Sequence, residues 1–369
     1  DKQLFAGFER IETPDAFTVV LHGRVPNPNL PFLLGQATAV IVEPATAAGN
    51  PVNPIGTGPY QLADWQKGAS LTLKKWEGYR SASSIALQSV TFRFISDAAA
   101  QSAALLAGDI DLFSRVQVAR NIQQFKNDSR FRVLVGGSRA KTIVAMNNAR
   151  KPLDDVRVRR AISMAIDRQA VIQGAADGLG VPIGSFYVPG ADGYVDTTGM
   201  TPYDPEKARA LLKEAGVAGL SLSMKLPPTP YAKQGGEVIA AMLAKAGITV
   251  TLESVEWAQW LSQVYGKKDY DLTIISHVEP FDFGNFAKPD YYWNYRSQAF
   301  NALYERILQS GNEQERTRLL GDAQRLVADD AVAVYLYQPQ WITVANSKLQ
   351  GLWQDMPVFV NDLSALRWQ

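Results

Sequence analysis

Apolar positions along the chain follow two periods, and the changes of period mark the elements. Residues 17–21 alternate with β-branched side chains and predict a strand, and Pro26, Pro28 and Pro31 then break the chain. Residues 38–42, 71–75 and 90–95 have the same short, β-branched character. Residues 45–59 are rich in Ala, Gly, Asn and Pro and predict an extended loop. Asp97 then stands as N-cap before an Ala-rich run to Leu106, with Gly108 at its end, which predicts a helix. Short strands follow at 109–113, at 132–135 and at 141–146, the last two flanking Gly136-Gly137.

From residue 156 the helical period dominates. Val158, Ala161, Ile162, Ala165 and Ile166 fall on one face, which predicts one helix over 156–173. Asp204-Pro205-Glu206 opens the next, with the acid as N-cap and proline in the first turn, running to Gly216. Further helices are expected at 237–245, 256–265, 299–308 and 313–329. Strands alternate with them at 220–226, 248–252 and 271–275, and close the chain at 332–337, 342–345 and 358–360. Alternating helices and strands predict an α/β fold. At 369 residues the chain is too long for one simple core, so two domains are expected. No glycine–serine tether separates them, so several strands should cross between the domains and form a hinge around a cleft.

Composition narrows the chemistry. The 37 Lys and Arg against 36 Asp and Glu leave no basic excess for a nucleic-acid surface. The count of zero cysteines excludes disulfides, thiol catalysis and thiolate metal sites. Two histidines, His22 and His277, are too few for a multi-histidine metal centre. Neither has a nucleophile-elbow motif around it, so no Ser–His–Asp arrangement is expected. Gly56-Thr57-Gly58 lacks the lysine and following helix of a phosphate loop. No apolar run is long enough to span a bilayer, and Asp1-Lys2-Gln3 is not a signal peptide.

The segment MNNARKPLDDVRVRRAISMAIDRQAVI, from Met146 to Ile172, carries the most specific signal. Its residue chemistry alone predicts a tight turn and a helix capped by Asp154 or Asp155, with Arg157 and Arg159 solvated or locally paired. As a motif it closely resembles the extracytoplasmic solute-binding proteins of bacterial ABC importers, family 5, the peptide, opine and nickel class. Other segments match that family in the same order: Asn53 to Tyr60 with Trp65, Leu105 to Asp111, Tyr203 to Ala208 with Leu211-Leu212, Val255-Glu256-Trp257, and Tyr270-Asp271-Leu272. The resemblance covers essentially the whole chain.

It implies a two-lobed α/β binding-protein fold of type II, the large peptide-binding class, with mixed sheets and a hinge. The first lobe is expected from residues 1–138 and 346–369, with a remnant of the family's extra domain near 1–50, and the second from 139–345. The family's sizeable N-terminal part has no counterpart here. The implied function is capture of a small polar ligand, a peptide or similar amine-bearing compound, in the interlobe cleft. A membrane permease with a separate ATPase then takes the ligand. No cofactor and no catalysis are implied, and the protein is expected to be a monomer. The implied location is periplasmic or extracytoplasmic, with a signal peptide outside this sequence. Nickel-chelate, opine or sugar-type ligands are the alternatives within the fold, and hydrolysis by a cleft carboxylate is the alternative of another class.

The resemblance also implies ligand contacts. Matching Asp282, Asn285 and Phe286 to the family's binding loop puts Glu279 where an acid would hold a ligand ammonium. Thr229 stands where peptide-binding members place an arginine for a free carboxylate, and a hydroxyl cannot replace a bidentate guanidinium. Arg139, on the expected hinge strand, is the candidate substitute. His277 adjoins Glu279, and any metal there would have to bring its own ligands. Asp282, Phe281, Trp257 and Trp341 complete the candidate contacts, the aromatics by stacking on apolar ligand parts.

Overall fold

The computed structural model describes residues 5–27, 29–36, 39–116, 119–279, 282–356 and 360–369. Its largest sheet has six strands in the order Thr249–Ser254, Ser221–Leu226, Leu272–His277, Lys141–Met146, Ala333–Pro339, Gly180–Pro182. Ser221–Leu226 pairs in parallel with both its neighbours, and the remaining pairings are antiparallel. A parallel pair needs a crossover, and the helix Pro230–Lys245 supplies the one between Ser221–Leu226 and Thr249–Ser254.

Every residue of Lys141–Met146 is buried, because this strand has neighbours on both edges and cover on both faces. Its side chains alternate between two cores. Val144 and Met146 join the cluster under the helices at 156–176, 205–214 and 230–245, with Ile162, Leu212 and Ile239. Ile143 and Ala145 face an aromatic cluster with Phe286, Trp293 and Phe300.

Caps set most helix starts as the sequence predicts. Asp97 accepts from Ala100 N at 2.7 Å and Asp204 from Lys207 N at 2.8 Å. Of the two candidates before residue 156, Asp155 is the cap, accepting from Arg157 N at 2.8 Å. Three helices differ from expectation, the one expected at 256–265 being a short α-helix, Trp257–Trp260, continued by a π-helical turn, Leu261–Gly266. The single helix expected over 156–173 is two, Val156–Met164 and Arg168–Ala176. Asp167 interrupts it by taking hydrogen bonds from Gln169 N and Ala170 N, which re-caps the chain in a new direction. The helix expected at 237–245 starts earlier, at Pro230, and runs through Gly235-Gly236. Gly236 is a packing choice: a Cβ there would lie 2.7 Å from Leu226 Cδ1.

The arginines of the family-like segment are not all solvated. Arg157 pairs with Asp155 at the surface, as expected. Arg159 is instead buried. It donates to Leu153 O at 2.8 Å, Asp330 O at 2.7 Å and Ala331 O at 3.2 Å, tying two helix ends together. Arg168 is also buried and donates to Tyr335 O at 2.7 Å and Thr201 O at 3.0 Å. A planar fork reaches several carbonyls at once, which explains arginine at both places.

A three-stranded sheet, ordered Leu112–Phe113, Trp341–Asn346, Phe131–Gly136, lies beyond the large one. The chain passes from Phe131–Gly136 into Lys141–Met146, and from Ala333–Pro339 into Trp341–Asn346. These two crossings run side by side: Ser138 Oγ donates to Pro339 O at 2.6 Å, and Gln338 Nε2 donates to Ser138 O at 2.5 Å. The second crossing falls at Gln340, so residues 341–345, expected in the second lobe, pair in the smaller sheet instead. Residues 354–356 brace this region: Gly137 N donates to Asp355 Oδ1 at 2.6 Å and Met356 N to Gly137 O at 2.8 Å. Gly136 has no room for a side chain, since a Cβ would overlap the Gln354 carbonyl.

A further three-stranded sheet, Tyr60–Gln66, Ser70–Lys75, Ser89–Arg93, and a hairpin, Phe8–Asp15 with Thr18–Gly23, precede these elements. Of the strand expected at 38–42, residue 38 lies outside the described residues, and Val42 makes a single bridge to Gly56. The strand expected at 358–360 falls mostly outside them too.

Arg159→Lys should lower the unfolding free energy by about 2–3 kcal/mol, because one ammonium cannot serve all three carbonyls. Chemical denaturation checks this, and an unchanged midpoint would show that the arginine fork is not a structural tie.

Candidate functional site

The crossings form the floor of a cleft of about 400 Å³. Ser138, Ala140 and Thr142 reach it from one crossing and Pro339 and Gln340 from the other. Arg115 and Trp341 wall it from the smaller-sheet side. Thr229, Tyr231, Trp257 and Ser276 wall it from the larger-sheet side. The wall is mostly apolar or hydroxyl-bearing, with Arg115 and Asp177 as the charged side chains on it among the described residues.

Local structure sets each group. Tyr231 lies in the first turn of the helix Pro230–Lys245, and its phenol oxygen accepts from Ser276 N at 3.1 Å, beside the buried Thr229 hydroxyl. Burial pushes the Tyr231 phenol up, so it stays protonated and able to donate. Thr142 Oγ1 and Ser276 Oγ lie 3.2 Å apart on neighbouring strands. Asp177 has a left-handed backbone, φ 49°, where it ends the helix Arg168–Ala176. The Arg115 guanidinium lies 5.4 Å from the centre of the Trp341 ring. Burial lowers the Arg115 pKa, yet an arginine remains charged at neutral pH. Stacking on the Trp341 ring orients the guanidinium plane.

Of the residues singled out in the sequence, Thr229, Trp257 and Trp341 line this cleft. Arg139 does not. Side chains alternate along the crossing strand, so Arg139 and Lys141 face a second hollow on its other side. His277 is buried in the aromatic core, with Nε2 2.8 Å from the Tyr292 hydroxyl and its ring stacked on the Tyr292 ring at 5.9 Å. Asp282 forms a buried ion pair with Lys141 at 2.7 Å, and the same ammonium donates to Glu279 O at 2.9 Å. Phe281 lies outside the described residues.

The Glu279 carboxylate is not on the cleft wall, although the adjacent Val278 is. It is 66% exposed and lies 3.7 Å from His277 Nδ1. The facing imidazole holds it down at about 2, below the usual glutamate range. Donor atoms of His277, Glu279 and Asp282 lie within 4.8 Å of one another, a set that could be read as a metal site. The Lys141 ammonium already neutralises Asp282 and would repel a cation there. Lys141 instead ties Asp282 and the Glu279 carbonyl to the strand Lys141–Met146.

Arg115 and Asp177 were not singled out in the sequence. Arg115 lies just past the short strand Leu112–Phe113, and Asp177 ends a helix. Neither position has a local motif, since only the tertiary crossing brings them to one cavity.

Asp282→Asn leaves a buried lysine charge unpaired and should cost about 3–5 kcal/mol of stability. Denaturation of the double variant Lys141→Met with Asp282→Asn should recover most of that loss. No loss in the single variant would show that the pair is solvated. The Glu279 contribution has the opposite pH sense from a raised group. It is full above the ordinary glutamate pKa and is lost as pH falls toward about 2. Its exposure keeps it small. Carboxyl NMR should find the Glu279 midpoint near 2, and a midpoint in the usual glutamate range would remove the His277 contact.

Residues 2–331 match the model for bacterial extracellular solute-binding proteins, family 5 middle. The dipeptide-binding protein of Escherichia coli is 29% identical over 357 residues, which cover 88% of this chain and 65% of that protein. The glutathione-binding protein GsiB of Salmonella paratyphi A is 28% identical, covering 95% of this chain and 72% of that protein. The chain thus spans about two thirds of the length of these relatives. Among solved structures, the Helicobacter pylori protein DppA with the peptide STSA superposes with TM-score 0.85 at 24% identity, covering 98% of this chain and 74% of that one. The binding protein AgaA of A. tumefaciens R10, in complex with agropinic acid, superposes with TM-score 0.84 at 25% identity, covering 99% of this chain and 78% of that one. The two-lobed fold read from the sequence is the fold of these neighbours, and the chain belongs to the family 5 bacterial extracellular solute-binding proteins.

Proposed function

We propose that this chain captures a small zwitterionic ligand of the peptide class in the cleft at the paired crossings, as the solute-binding component of an ABC import system. The carrying observation is the cleft itself: about 400 Å³ at the paired crossings, walled from both sheets, with one arginine and one aspartate. A ligand touching both walls favours the closed arrangement over the open one, because only closure makes both sets of contacts. A membrane permease and a separate ATPase are the partners that this role requires. Among relatives, the names dipeptide-binding protein and glutathione-binding protein support the ligand class. Family members are binding proteins, and the cleft walls hold no nucleophile–histidine pair among the described residues.

Within this proposal Arg115 takes the part expected of an arginine at Thr229: it meets a ligand carboxylate, from the opposite wall. Asp177 meets the ammonium. Glu279, next to Val278 on the wall and largely exposed, is the alternative acid if its side chain turns inward. The described helices include none long and apolar enough to cross a membrane. An extracytoplasmic location follows from the family and is part of the proposal.

Native mass spectrometry of the protein after incubation with a mixed dipeptide library tests this. Unmodified dipeptides should be retained. Arg115→Gln should weaken the retained species by about tenfold or more, the loss expected for a charge-assisted pair. Asp177→Asn, which keeps the left-handed backbone accessible, should weaken it more than Glu279→Gln does. Cleaved dipeptides would favour a hydrolase, and a larger loss with Glu279→Gln would restore Glu279 as the ammonium partner.

A further inference from the structure

The second hollow, on the far side of the crossing strand, has its own chemistry. It has a volume of about 120 Å³ and is lined by Arg139, Lys141, Phe186, Tyr187 and Phe283, with others. Its two cations differ. Lys141 is satisfied by Asp282 at 2.7 Å and Glu279 O at 2.9 Å. Arg139 is half-buried and makes no hydrogen bond or ion pair among the described residues. Asp192 also lines the hollow, but it is exposed and does not pair with Arg139.

A half-buried arginine with no counter-ion among the described residues can take an external anion. Tyr187 stands beside it, close enough for the arginine charge to act on its phenol, and burial pushes that phenol up so that it stays a donor. The rest of the wall holds the buried rings of Phe186 and Phe283, the aliphatic Val188 and Ala191, and the Asp282 carboxylate that Lys141 neutralises; Tyr187 meets Phe283 edge-on at 5.5 Å. Two donors at one end of an apolar hollow fit an anion with an apolar body.

We infer that this hollow is a second binding site, separate from the cleft, for an aryl or alkyl carboxylate. Its carboxylate takes hydrogen bonds from the Arg139 fork and the Tyr187 hydroxyl. Its apolar body lies against Phe186 and Phe283, where ring contacts and loss of water favour it. The site does not depend on what the cleft binds.

Titration calorimetry with 3-phenylpropionate, and with uncharged 3-phenylpropanamide as its match, tests the site. The acid should bind about tenfold or more tightly than the amide. Arg139→Gln should abolish that preference while its melting temperature stays that of the parent. Tyr187→Phe, which keeps the ring, should weaken the acid several-fold. Equal binding of acid and amide, or no saturable heat up to about 10 mM acid, would overturn the site. So would an acid preference that survives Arg139→Gln and disappears in Arg115→Gln, since that assigns the anion to the cleft.

Discussion

Two chain crossings, hydrogen-bonded side by side, join the six-stranded sheet to the sheet of Leu112–Phe113, Trp341–Asn346 and Phe131–Gly136 around one cleft. Ser138 gives its hydroxyl to Pro339 O and takes the Gln338 amide on its own carbonyl. These bonds tie segments two hundred residues apart in sequence, as the separation of 201 between Ser138 and Pro339 shows. Asp355 and Met356 add a third strand of contacts to Gly137. A paired hinge restricts relative motion of the sheets to bending about one line. A single tether would leave many more arrangements and a larger entropy cost on ligand closure.

The alternation of side chains on the first crossing then decides the chemistry on each side. Ser138, Ala140 and Thr142 present small or hydroxyl-bearing groups to the cleft, where a ligand needs room. Arg139 and Lys141 turn the other way, and Lys141 is absorbed by Asp282. That ion pair ties Asp282 to the crossing strand, and His277 is held against Tyr292.

Much of this was legible in the sequence because it is local. The caps at Asp97, Asp155 and Asp204, the glycine ends and the strand–helix alternation follow from short-range rules. The family-like segment from Met146 to Ile172 pointed to the fold, and Arg157 pairs locally as expected, but Arg159 is buried. The carbonyls that bury Arg159 and Arg168, those of Asp330 and Tyr335, are distant in sequence and leave no local signal. The site was less legible for the same reason. Thr229, Trp257 and Trp341 reach the cleft, whereas Arg139 lines the second hollow and Glu279 faces His277. Arg115 and Asp177 carry no local signal, because the cavity that unites them is made only by the crossings.

The central claim is that ligand contact with both walls closes the cleft about these crossings. The chain has no cysteine, so two can be introduced without background. Exposed Gln124 and Glu237 lie on helices belonging to the two sides. Pulsed electron–electron resonance between spin labels at these positions reports the distance between the sides. On addition of a dipeptide that the protein retains, the distance distribution should shorten and narrow. An unchanged distribution with the dipeptide bound would contradict closure about the hinge.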